Sequence, residues 1–258
     1  LKKERVRSVD EETVVRSDET LDTLHVGDLQ IIQKKSGYRF SLDPILLCNF
    51  GRIGKGEDVL DLGTGCGVIP LLLARKTAAR RIVGIELQPE MADRARRSVL
   101  LNGLGHKVEI VPGDVRRITV EEFAPGAFSV VFANPPFRRP QTGRTAPTVE
   151  RATARHELAG GLEDFIRVAS RLLNDGGRFY IVFLADRLAE LLALMRRERL
   201  EPKRLRCVHG RAGERARMVL VEGRKGGRPE LVLEPPLFVY EGEGYSPELR
   251  DIYGETAD

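Results

Sequence analysis

The run Val59-Leu60-Asp61-Leu62-Gly63-Thr64-Gly65-Cys66-Gly67 constrains the fold of this chain more than any other stretch. A short apolar run passes through three alternating glycines straight into Val68-Ile69-Pro70-Leu71-Leu72-Leu73. That order reads as a buried strand, a tight turn and a helix. Glycine reaches positive φ without strain and lets a ligand approach the backbone, while a helix N-terminus offers free N–H groups. A strand handing over to a helix in this way belongs to an α/β alternation.

The rest of the chain keeps that rhythm. Strands are expected over residues 58–62, 81–85, 108–111, 128–133 and 178–184, and helices over 68–75, 89–102, 162–173 and 186–199. Asn174-Asp175-Gly176-Gly177 reads as a helix stop. Beyond it, residues 205–208, 217–222 and 231–239 read as strands joined by glycine-rich turns, an antiparallel finish to a parallel sheet. Residues 1–22 read as a flexible polar tail. Residues 23–56 read as a hairpin, with strands 28–32 and 38–40 around Lys34-Lys35-Ser36-Gly37, followed by a helix with Asp43 as N-cap and Pro44 at its first position. Residues 57–258 form the main domain.

Composition bounds the class. With 258 residues, 41% of them hydrophobic and 31% charged, the chain suits a single α/β domain with a substantial core. No apolar stretch is long enough to span a membrane, and the polar residues 1–20 hold no signal-peptide core. Cys48, Cys66 and Cys207 lack metal-ligand spacing. A cytoplasmic protein without a metal is expected, with monomer and homodimer both open. The net charge is only +4, but basic residues gather at 138–155 and 203–228. Such clustering suits a phosphate-bearing substrate.

A second signature is Asn134-Pro135-Pro136-Phe137, which ends the apolar run 128–133. Proline cannot donate to a sheet ladder and biases the residue before it towards extended backbone, so the strand stops abruptly. An amide, fixed carbonyls and an aromatic ring are then presented at its carboxyl end, where open α/β sheets bind ligands. An amide oxygen and a carbonyl together accept both hydrogens of a planar NH2 group, and the ring can stack on the base that carries it.

Acids stand at three successive strand ends. Asp61 precedes the glycines, Glu86 closes 81–86, and Asp114 with Val115 follows the third strand. Glu86 can hold two ribose hydroxyls and Asp114 can accept from an adenine amine. A nicotinamide site would need a glycine where Val68 stands, and Asp61 is a poor neighbour for a pyrophosphate. A sulfonium compound with an amino group suits an acid there.

These residues resemble the class I S-adenosylmethionine-dependent methyltransferases that act on amino nitrogens. Within them the chain resembles the bacterial family that methylates N6 of an adenosine beside the anticodon of a valine tRNA. The likeness runs over residues 24–253 and includes Gly37-Tyr38-Arg39-Phe40-Ser41-Leu42-Asp43 with Leu46-Leu47, residues 151–157, and Tyr245-Ser246-Pro247-Glu248. Phe137 stands where tyrosine is common, and the segment 138–155 is longer and more basic than the family pattern.

The resemblance implies a Rossmann-like fold with a mostly parallel, seven-stranded sheet, antiparallel C-terminal strands and a small N-terminal hairpin. It implies S-adenosylmethionine as cofactor, held by Asp61, Gly63, Thr64, Gly65, Gly67, Glu86, Leu87, Asp114, Val115 and Asn134. Asn134, Pro135, Pro136 and Phe137 are the catalytic set, and Arg138, Arg139, Arg155 and His156 are expected to meet a tRNA. Guanine N2 and a protein glutamine amide stay open as acceptors, as does a binding module without catalysis. Damage to Asp61, Glu86 or Asn134 would mark that last case, and all three are intact. Cys66 reads as a small residue in a turn, and Asp43 as either a cap or a contact for the ligand's amino-acid end. His25, His106 and His209 show no constellation.

Overall fold

A computed structural model describes residues 15–24, 26, 28–36, 39–119, 121–137 and 160–254. The chain begins with strands β1 (Glu19–Leu24) and β2 (Leu29–Lys34) and helix α1 (Asp43–Phe50). The alternation follows as β3 (Asp58–Leu62), α2 (Val68–Lys76), β4 (Arg81–Glu86), α3 (Pro89–Leu101), β5 (Val108–Pro112) and β6 (Phe128–Ala133). Then come α4 (Leu162–Leu172), β7 (Leu173–Leu184), α5 (Leu188–Arg197), β8 (Leu200–His209) and β9 (Ala216–Lys225). Short strands β10 (Val232–Leu233), β11 (Leu237–Phe238), β12 (Tyr240–Glu241) and β13 (Gly244–Tyr245) lead to α6 (Pro247–Tyr253).

The main sheet runs β10-β8-β9-β7-β6-β3-β4-β5, with β11 also on β8. Its body is the expected seven strands, and the two-residue strands β10 and β11 extend one edge. Pairing is parallel from β5 through β7, and β9 alone is antiparallel to both its neighbours β7 and β8. From β3 the chain first builds outward through β4 and β5, then returns to place β6 on the other side of β3. The crevice at the carboxyl ends of β3 and β6 is therefore a topological switch point, where α/β sheets bind ligands.

Helices cover both faces. On one face α1, α2 and α3 pack with α6 and the hairpin β1–β2, burying Leu47, Leu72, Ala92, Phe132 and Leu249 in one cluster. On the other, α4 and α5 bury Phe165, Ile166, Leu172, Leu191 and Met195 against Leu60, Val83 and Phe179. Leu162, Phe165, Ile166, Ala169 and Leu172 recur at helical spacing, which gives α4 one apolar stripe for the sheet.

The N-terminal segment departs from expectation. The hairpin pairs Glu19 with Lys34 through Leu24 with Leu29, so residues 19–22 are strand rather than tail. Side chains of α3 hold it. The Asn102 amide donates to the Gln30 carbonyl at 2.6 Å and accepts from the Gln30 N–H at 2.9 Å, replacing a neighbouring strand. Ser98 Oγ accepts from the Ile32 N–H at 3.0 Å, and Arg97 forks onto the buried Glu19 carboxylate at 2.6 and 2.7 Å. Partners 66 to 78 residues away in sequence leave no signal in the local pattern of residues 15–24.

Three other expectations change. Leu42 adopts helical angles and its carbonyl already accepts from the N–H groups of Ile45 and Leu46, so Asp43 is the first helical residue and caps nothing. Residues 231–239 are not one strand, because Pro235 and Pro236 break the ladder between β10 and β11, which both run parallel to β8. Asn174 to Gly177 lie within β7 as a bulge: the register jumps from Phe128 opposite Leu173 to Val130 opposite Arg178, with Gly176 at φ 75°. Among the described residues no helix is long and apolar enough to cross a membrane.

Candidate active site

Leu62 and Ala133 are register partners on the parallel strands β3 and β6. The glycine turn and the Asn-Pro-Pro-Phe segment therefore leave the sheet side by side. Gly63, Gly65 and Gly67 all have positive φ, at 71°, 60° and 87°, which other residues adopt only with strain. Space is short as well: a Cβ on Gly67 would lie 3.2 Å from the Ala95 Cβ, and one on Gly63 would lie 3.1 Å from the Phe165 ring.

Glu86 braces this turn from the next strand. Its Oε2 accepts from the Gly65 N–H at 2.8 Å and its Oε1 from the Gln88 N–H at 2.9 Å. Burial raises its carboxyl pKa, and the bonds from Gln88, Gly65 and Leu87 N–H groups with the charge of Arg94 oppose that rise. Beside the turn opens a small cleft of about 80 Å³. Gly63, Thr64, Gly65, Cys66, Glu86, Asn134 and Pro136 line it, together with Phe40, Pro44, Gln88, Met91 and Phe165.

Asp61, two residues before Gly63, is only 1% exposed and does not itself line the cleft. Neither carboxylate oxygen has a hydrogen-bond partner of full geometry among the described residues, and the Thr64 hydroxyl alongside is equally unsatisfied. Burial drives the Asp61 carboxyl up to about 7; Thr64 draws it back in part, and the Glu86 charge adds to the rise. An orphaned buried carboxylate is costly unless a cation or donor completes it. These acceptor oxygens fit a ligand with cationic and amino groups, the chemistry of S-adenosylmethionine.

The remaining candidates fall in different places. Leu87 is half-buried beside Glu86. Asp114 is turned to Arg116, accepting from its N–H at 3.0 Å and its guanidinium at 2.7 Å, and that bond foremost holds its pKa low. Val115 is buried in the second-face core, and neither it nor Asp114 lines the cleft. Pro135 is buried. The Phe137 ring stands edge-on to Phe183, with centroids 5.8 Å apart, and is likewise outside the cleft lining. Arg138, Arg139, Arg155 and His156 lie outside the described residues, as do His25 and Tyr38.

Arg187 was not legible as a site residue. Its guanidinium donates to the Phe137 carbonyl at 3.1 Å, forks onto Glu190 at 2.8 and 2.9 Å, and lies 4.8 Å over the Phe183 ring. The signal for it was positional: it follows β7, the strand next to β6, at the same carboxyl edge.

A parallel sheet reversed by one antiparallel strand, with a glycine turn and strand-end acids at the switch point, defines a Rossmann-like methyltransferase. The chain belongs to the methyltransferase small domain family, whose sequence model matches residues 44–197. Relatives named tRNA1(Val) (adenine(37)-N6)-methyltransferase include two from Porphyromonas gingivalis strains. One is 33% identical over 65% of this chain and 66% of its own length, the other 33% over 79% and 81%. A relative of the same name from Erwinia tasmaniensis is 28% identical over 63% of this chain and 65% of its own. Among solved structures, one described as a predicted O-methyltransferase from Agrobacterium tumefaciens superposes with a TM-score of 0.67 at 26% identity, covering 83% of this chain and 96% of that one. The M. jannaschii tRNA m1G37 methyltransferase shares the fold, with a TM-score of 0.59 at 17% identity over 82% of this chain and 58% of its own. The protein is a methyltransferase.

Proposed function

We propose that this methyltransferase uses S-adenosylmethionine to methylate N6 of an adenosine in tRNA, in valine tRNA next to the anticodon. The observation that carries the reading is the pairing of Leu62 with Ala133, which sets Asn134 beside the glycine turn at one cleft. The relatives' names supply the acceptor.

S-adenosylmethionine, when bound, supplies an electrophilic methyl group on a sulfonium. Asp61 meets its positive or amino groups through the turn, Glu86 takes the ribose hydroxyls, and Asp114, which keeps acceptor capacity beyond Arg116, takes the adenine amine with Val115 packed beside it. Asn134 Oδ1 and the Pro135 carbonyl accept the two N6 hydrogens of the target and fix its lone pair towards the methyl group. Alignment rather than strong acid or base chemistry is what this transfer needs. Phe137 stacks on the flipped base, a contact that contributes about 1–3 kcal/mol and offsets part of the unstacking cost. Arg138, Arg139, Arg155 and His156 contact the RNA beyond it.

The test is incubation of the protein with labelled S-adenosylmethionine and total tRNA from a strain lacking the modification, followed by nucleoside analysis. Label in N6-methyladenosine supports the reading. Label only in methylguanosine or in protein contradicts it.

A further inference from the structure

The turn joining β8 to β9 is a second positive feature at the same edge of the sheet. Residues 206–217 hold four arginines, Arg206, Arg211, Arg215 and Arg217, and one carboxylate, Glu214, and residues 211–215 are all exposed. Exposed turns are usually free to move, but this one is braced on two sides. His209 Nδ1 bonds the Glu214 carbonyl at 2.7 Å, and Arg211 bonds the Gly242 carbonyl. The Arg211 guanidinium also lies 5.4 Å over Tyr240, the first ring of a column in which Tyr240, Tyr245 and Tyr253 stack at 5.6 Å steps. Arg206 forks onto Glu248 at 2.6 and 2.7 Å and ties β8 to α6.

Bracing spends Arg206 and Arg211 and leaves Arg215 and Arg217 projecting. Arg217 is exposed and only loosely paired to Glu214 at 3.7 Å, an interaction worth little at a surface. Arg215 makes no ion pair among the described residues; the exposed Asp186 lines the same hollow, and the exposed Glu241 and Glu243 flank the Gly242 that Arg211 holds. Register fixes where they stand: Ala133 pairs with Ile181, Ile181 with Val221, and Leu184 with Met218. Arg217 is thus two strands across from Asn134 and further out past the edge, about 10 Å in each direction. Phosphates of an RNA stem-loop whose target base enters at Asn134 fall within that reach.

We propose that the braced β8–β9 turn is a docking surface for the RNA phosphate backbone, with Arg215 and Arg217 making the contacts. A turn ordered before binding loses little freedom on contact, which favours affinity. The inference rests on the tRNA reading above.

The test compares wild type with R215E/R217E, using tRNA transfer rates over a salt series and S-adenosylmethionine binding by calorimetry. The double reversal is expected to raise KM for tRNA about tenfold or more at low salt and to reduce the salt slope by about 2, with cofactor affinity and melting temperature unchanged. R215K/R217K, which keeps both charges, is expected to restore most of the affinity. An unchanged KM and salt slope in a folded R215E/R217E overturns the surface while leaving the tRNA reading intact. Failure of wild type to methylate tRNA, with label in an acidic protein instead, overturns both.

Discussion

The backbone N–H of Gly65 donates to Oε2 of Glu86 at 2.8 Å, so an acid on β4 holds a turn built by β3. The residue assigned to the ribose is also the strap that shapes the glycine turn. Glu86→Gln leaves one acceptor oxygen where two serve Gly65 and Gln88. The expected result is a loss of about 1–3 kcal/mol in stability together with a tenfold or greater weakening of S-adenosylmethionine binding, read by thermal melts and calorimetry. Unchanged binding in this variant would remove Glu86 from the ligand.

The orphaned Asp61 carboxyl predicts opposite effects on stability and binding. Its folded pKa of about 7 lies above the ordinary value of 3.8, so between those values the folded state holds a proton that the unfolded state has lost. Stability therefore falls as pH rises from about 4 to about 7, by on the order of 4 kcal/mol, and then levels. Asp61→Asn without ligand is expected to melt above wild type at pH 8, with the gap closing towards pH 5. Cofactor binding runs the other way, because a cation favours the ionised acid: wild-type affinity should rise through about pH 7, and the variant's should be weak and flat. A flat wild-type profile over pH 6–8 would contradict this role.

Arg187 tests how the catalytic segment is held. Arg187→Ala frees the Phe137 carbonyl and removes the cation over Phe183, which itself meets the Phe137 ring. Turnover on tRNA should fall about tenfold or more with cofactor affinity unchanged, since misplacement of an aligning group is costly. Arg187→Lys keeps a donor for the carbonyl but loses the fork onto Glu190, and should recover part of the rate. Loss of cofactor binding instead would mark Arg187 as a general structural residue.

The parallel half of the fold was legible because each of its elements carries its own signal. Residues 58–62, 128–133 and 68–75 are mostly apolar, and glycine or proline stands close to each of them. What was not legible depends on partners distant in sequence. Residues 19–22 are strand because Ser98 and Asn102 of α3 satisfy β2 beside them, and Arg97 reaches Glu19. Gly84 reads locally as a weak point in β4, yet a Cβ there would sit 2.8 Å from the Thr64 hydroxyl, so the gap exists to seat the turn. Arg187 was missed for the same reason: the backbone carbonyl it holds is 50 residues away in sequence.

Asn134 lines the cleft proposed for the methyl donor, and in the proposed reaction it grips the acceptor amine there. The most direct measurement is the rate of N6-methyladenosine formation in tRNA by Asn134→Ala, at saturating S-adenosylmethionine, relative to wild type. A fall of about a hundredfold or more, with cofactor affinity within twofold of wild type, is the expected result. A near-wild-type rate in that variant would remove Asn134 from the reaction.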